Sequence, residues 1–134
     1  MSYPQAAPAR PRMLIVDREV AIRFALSDYF RSQGFEVDAA EGPEEVDAWL
    51  RRSHYTAVIT DLQPTHPLSV AHRVRLVSPG TVVCVLAPPL SAEETRAAML
   101  AADVVLTRPR PLPEIASVVL ALMRPPVRNP SHVN

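Results

Sequence analysis

Five short apolar runs, each followed by a segment of helical period, divide this chain and leave few folds open to it. The runs are Met13-Leu14-Ile15-Val16, Phe35 to Ala39, Ala57 to Asp61, Thr81 to Leu86 and Val104 to Leu106. Most are continuously apolar, the pattern of strands buried on both faces, and only Phe35 to Ala39 alternates. Between them lie amphipathic helices. Ile22, Leu26 and Phe30, with Ala25 and Tyr29, mark the first, and Gly34 offers a left-handed cap at its end. Gly42-Pro43-Glu44-Glu45 opens the second, which buries Val46, Trp49 and Leu50. Val70, Val74 and Val77 give a third helix over Leu68 to Val77. Ser91-Ala92-Glu93-Glu94 is a capping box that starts a fourth at Ala92, and Leu112 to Met123 forms the fifth, with Ile115, Val119 and Leu122 inward. Strand and helix alternate five times, which predicts a parallel sheet wrapped on both faces by right-handed crossovers.

The 134 residues suffice for one domain with a real core. Residues 1–11 read as a flexible arm, 12–124 as the domain and 125–134 as a Pro-rich tail. The formal net charge of zero leaves no electrostatic footprint for nucleic acid. No apolar run approaches a bilayer span and no secretion signal opens the chain, so a cytoplasmic protein without membrane contact is expected. Cys84 lies within an apolar run and reads as a small buried hydrophobe.

Two runs end on a carboxylate. Val16 leads into Asp17, and Ala57-Val58-Ile59-Thr60 leads into Asp61, after which Pro64 breaks any strand. Ligands and chemistry in open α/β sheets gather at the carboxyl ends of the strands, so the two acids mark the candidate site. Arg18 follows Asp17 directly. No Walker A pattern or Gly-rich dinucleotide turn is present. His54, His66, His72 and His132 lack metal-ligand spacing.

Leu14-Ile15-Val16-Asp17, Val58-Ile59-Thr60-Asp61, Val83 to Ala87 and Leu106-Thr107-Arg108-Pro109 occur in the order and spacing of a known signalling family. Over residues 12–124 the chain resembles a response-regulator receiver domain. The resemblance implies a flavodoxin-like, five-stranded parallel sheet of order 2-1-3-4-5 with helices on both faces. It implies that Asp61 is the phosphoacceptor, that Asp17, Arg18, Ala87 and Arg108 form the pocket, and that Arg108–Pro109 is a cis peptide aiming Arg108 at Asp61. Mg²⁺ would be held by Asp17, Asp61 and Gln63. The chain departs from the family pattern at several of these positions. Arg18 stands in place of a second acid, Ala87 in place of a hydroxyl residue, Arg108 in place of Lys and Val105 in place of an aromatic. Only weak Mg²⁺ binding, or none, is therefore expected, with Arg18 substituting for the metal and pairing with Asp61 or Asp17.

Two functions follow from the resemblance. One is a stand-alone, non-enzymatic receiver that accepts phosphoryl at Asp61 from a histidine kinase or phosphotransfer protein and signals by protein–protein interaction. The other is a pseudo-receiver acting as a phosphorylation-independent interaction or dimerisation module. In both, the 92–123 face would meet a protein partner or a second copy. A third reading, a small-molecule-binding domain of flavodoxin-like fold, has less behind it, because Asp17-Arg18-Glu19 would repel a phosphate.

Overall fold

Alternation of side chains along the strands sorts the core into two layers. The computed structural model describes residues 10–63 and 66–123, so most of the expected arm and the whole tail lie outside the described residues. The elements are β1 (Arg12–Val16), α1 (Val20–Ser32), β2 (Glu36–Ala40), α2 (Pro43–Arg52), β3 (Ala57–Asp61), α3 (Ser69–Val77), β4 (Val82–Ala87), α4 (Ala92–Ala98), β5 (Val104–Thr107) and α5 (Leu112–Met123). All pairings are parallel, in the order β2-β1-β3-β4-β5. The expected topology is thus observed, with boundaries displaced by a residue or two.

Met13, Ile15, Ala57, Ile59, Cys84 and Leu86 face one side, where Leu26 and Phe30 of α1 and Ile115, Ala116 and Val119 of α5 cover them. Leu14, Val16, Val58, Val83, Val85 and Ala87 face the other, under Val46 of α2 and Val70, Ala71 and Val74 of α3. The period of two along each strand places consecutive residues in opposite layers. Cys84 is fully buried. The inward assignment of Leu122 fails, at 41% exposed, and Val77, at helical spacing with Val70 and Val74, is 58% exposed. Each falls in the last turn of its helix, where the helical period runs on past the end of the core.

Helix ends obey local chemistry. Gly34 has φ +95° beyond the end of α1. There Phe35 N–H donates to Phe30 O at 3.1 Å and Gly34 N–H to Arg31 O at 3.0 Å, the two bonds of a Schellman motif. Its apolar contact is an edge-on pair between Phe30 and Phe35, with ring centroids 5.6 Å apart. At α4 both bonds of the Ser91–Glu94 capping box form. Before β1, Pro11 O accepts from Glu36 N at 3.0 Å, so the sheet engages the chain one residue earlier than the expected arm boundary.

Phe30 joins the α1 layer to the chain reversal that starts β2, and it is 0% exposed. Phe30→Ala is expected to cost about 3–5 kcal/mol, the range for truncating a buried aromatic. Urea denaturation should show a lower midpoint with an unchanged slope.

Candidate functional site

Adjacency of β1 and β3 brings their terminal carboxylates to the same edge of the sheet. Asp17 is 1% exposed and Asp61 2%, and burying a carboxylate is costly unless it finds partners. Asp61 has them on both oxygens. Arg18 Nε donates to Oδ2 at 2.9 Å, and the Gln63 side-chain amide donates to Oδ1. Arg18 N–H also lies 3.5 Å from Oδ2, and Arg18 Nη2 donates to Leu62 O at 3.3 Å. The guanidinium therefore crosses from the β1–α1 loop to the end of β3.

Asp17 is held differently. Its Oδ1 accepts from Glu19 N–H at 2.9 Å, which fixes the turn into α1. Among the described residues its Oδ2 has no hydrogen-bond partner, and Arg108 Nη1 stands 3.6 Å away. Burial pushes the Asp17 carboxyl above its ordinary value of 3.8, opposed by the Glu19 amide and Arg108, and Asp61 adds to the rise. Arg108 also donates to Leu86 O at 3.4 Å, and its own N–H bonds Ala87 O at 2.8 Å. The Arg108–Pro109 peptide is cis, as expected, but its guanidinium pairs with Asp17 and not with Asp61, where Arg18 already sits.

The structure thus brings Asp17, Arg18, Asp61, Gln63 and Arg108 together. Ala87, fully buried, contributes only backbone. Two features had no sequence signal. The Gln63 side chain, expected to hold Mg²⁺ by the resemblance, donates to Asp61 instead, a bond nothing in the sequence signals. Arg23 Nη1 bonds Asp17 O at 2.7 Å, tying the end of β1 to α1, while its Nη2 lies 3.6 Å from Glu41.

The donor set does not fit Mg²⁺, which needs about six oxygen ligands in octahedral geometry. Both Asp61 oxygens are taken by protein donors, and a cation lies against one of them. Among the described residues no group of three or more His, Cys, Asp or Glu could hold a metal ion. No helix among them is long and apolar enough to cross a membrane.

No protein-family model matches the chain. Solved structures do resemble it. A CheY-like receiver domain protein from Methanospirillum hungatei superposes with a TM-score of 0.79 at 18% identity, over 86% of this chain and 94% of that one. The response regulator TrrA of Thermotoga maritima, in complex with Mg²⁺-BeF, gives 0.73 at 28% identity over 84% and 98%. An orphan response regulator of H. pylori gives 0.77 at 21% over 87% and 100%. The class is therefore the CheY-like, flavodoxin-like α/β sheet. Within it, this chain has the receiver-domain fold of response regulators.

Two outcomes test the site. An acid whose pKa is raised in the folded state favours folding below the unfolded value and loses that contribution as pH rises through the folded value. Stability conferred by Asp17 should therefore fall as pH climbs from about 3.8 through the raised value, a decline absent in Asp17→Asn. Urea midpoints of both proteins between acid and neutral pH check the slope. Calorimetric Mg²⁺ titration should show no binding at low millimolar concentration for the native protein and measurable binding for Arg18→Asp, which exchanges a repulsion for an oxygen ligand.

Proposed function

We propose that the chain is a receiver-fold interaction module of a response-regulator pathway, signalling by protein–protein contact without catalysing a reaction and without requiring phosphorylation. The observation that carries this reading is the state of Asp61. A phosphoacceptor needs a carboxylate oxygen open to phosphorus, and here Asp61 is 2% exposed beneath Arg18 and Gln63, which donate to its two oxygens. The machinery that would read a phosphoryl group is also reduced. Ala87 has no hydroxyl to grip it, and Val105 has no ring to turn inward. A modification shifts an equilibrium only through its differential interaction with the two states.

Surface chemistry supports an output by contact. Within the 92–123 region, Met99 is 45% exposed, Leu100 86% and Leu122 41%. These are apolar side chains that a protein partner, or a second copy, would cover.

A second reading keeps Asp61 as a phosphoacceptor for a histidine kinase or phosphotransfer protein. Its support is that the Arg18 side chain is 49% exposed, so the guanidinium covering Asp61 borders solvent and has room to swing away. Arg108 would then supply the cation for the phosphoryl oxygens.

Intact mass after incubation with acetyl phosphate and Mg²⁺ decides between them. The first reading expects the native mass unchanged. A gain of one phosphoryl group, abolished in Asp61→Asn, would replace it with the second.

A further inference from the structure

A cavity of about 910 Å³ opens at the C-terminal edge of the sheet, between α1 and the loops that follow β4 and β5. It lies at the carboxyl ends of the strands, where open α/β sheets bind ligands, and its size falls within the roughly 300–1,000 Å³ of small-molecule sites. Its walls are apolar: Ile22 and Leu26 from α1, Leu112 and Ile115 from α5, and Pro88 and Pro109 from the loops. The polar groups in the lining are unusual in sign. Arg18, Arg108 and Arg110 all contribute, against a single carboxylate, Glu19.

Those arginines retain binding capacity. A guanidinium offers five N–H donors, and charge-assisted bonds run at about 2.7–2.9 Å. Among the described residues, the Arg108 guanidinium makes polar contacts only at 3.4 Å, to Leu86 O, and at 3.6 Å, to Asp17. Arg110 reaches Thr107 O at 3.4 Å and Glu114 at 3.8 Å. Both flank Pro109, so two incompletely used forks stand on one rim of an apolar hollow.

We infer that this cavity binds a small molecule with an apolar, ring-sized body and one anionic group, the body against Ile22, Leu112 and Ile115 and the anion on Arg108 and Arg110. Of the nearby acids, Glu19 lines the cavity beside three arginines, and the other two are covered. Asp17 is buried beneath Arg108, and Asp61 is covered by Arg18 and Gln63. The cavity shares Arg18, Gln63 and Arg108 with the pocket around Asp61, but the acetyl phosphate mass reads Asp61 and the probe titration reads Arg110, so the failure of one is distinguishable from the failure of the other.

The test uses two fluorescent probes of nearly the same apolar body, 8-anilino-1-naphthalenesulfonate and the uncharged N-phenyl-1-naphthylamine, with the folded native protein. The sulfonate should bind saturably, one per chain, at least about tenfold more tightly than the neutral probe, the worth of one charge-assisted hydrogen bond. Arg110→Gln, at a side chain whose contacts among the described residues are long, should erase most of that difference and leave the neutral probe unaffected. Ala25→Phe, which fills the cavity from α1, should weaken both probes. Methyl NMR should place the shifts at Ile22, Leu112 and Ile115 and not at Val46 or Val70. Equal affinity for the two probes, indifference to Arg110→Gln, binding of several sulfonates per chain, or shifts outside the cavity would each overturn the inference.

Discussion

Two carboxylates buried at the ends of neighbouring strands must be neutralised from within the chain, and this requirement organises the whole upper edge of the fold. The effective penalty for burying an ion is several kcal/mol, so neither Asp17 nor Asp61 can be left alone. The sheet order places β1 beside β3, which makes the acids neighbours and lets Arg18 cross from one strand end to the other. Arg108 reaches Asp17 from beyond β4, a span that suits a long side chain with a planar fork. All fourteen cationic side chains of the Lys and Arg class are arginine, and the sequence has no lysine. Guanidinium stays charged at any relevant pH, so these counter-charges do not titrate away.

The fold could be read from the sequence because its determinants are local and periodic. Continuous apolar runs such as Met13 to Val16 need two covered faces, and the alternation of five strands with five helices leaves essentially one class of sheet. Helix caps were equally legible, since Gly34 and the Ser91–Glu94 pair act on backbone groups within a few residues. Val77 and Leu122 show the limit: a periodic pattern does not reveal where the core beneath it stops. At the site, Asp17 and Asp61 stood out because an acid ending an apolar run is rare. The direction of Arg18 was open between Asp61 and Asp17, because a loop residue has no period to orient it. Gln63 was harder still, since its bond to Asp61 depends on the path of the loop after β3.

Beside the covered Asp61, the end of β4 offers backbone and no polar side chain. Ala87 is fully buried and meets the pocket through its carbonyl, which accepts from Arg108 N–H at 2.8 Å. The link between the Asp61 end of the sheet and α5 therefore runs through backbone hydrogen bonding between β4 and the β5–α5 loop. Such a link holds geometry well. The Arg108 side chain adds a longer-range contact to the same end of the sheet, to Leu86 O and Asp17.

Cys84 lies in the middle of β4, with β3 on one side, β5 on the other and the α1–α5 layer above it. Burial pushes its thiol up to about 12, so at neutral pH almost none of it is the reactive thiolate, and no reagent reaches it in the closed sheet. The sole sulfhydryl of the chain is thereby a clock on its own interior. Alkylation of the native protein reports how often the central strands come apart, at the residue where local and global opening converge, with no engineered label required.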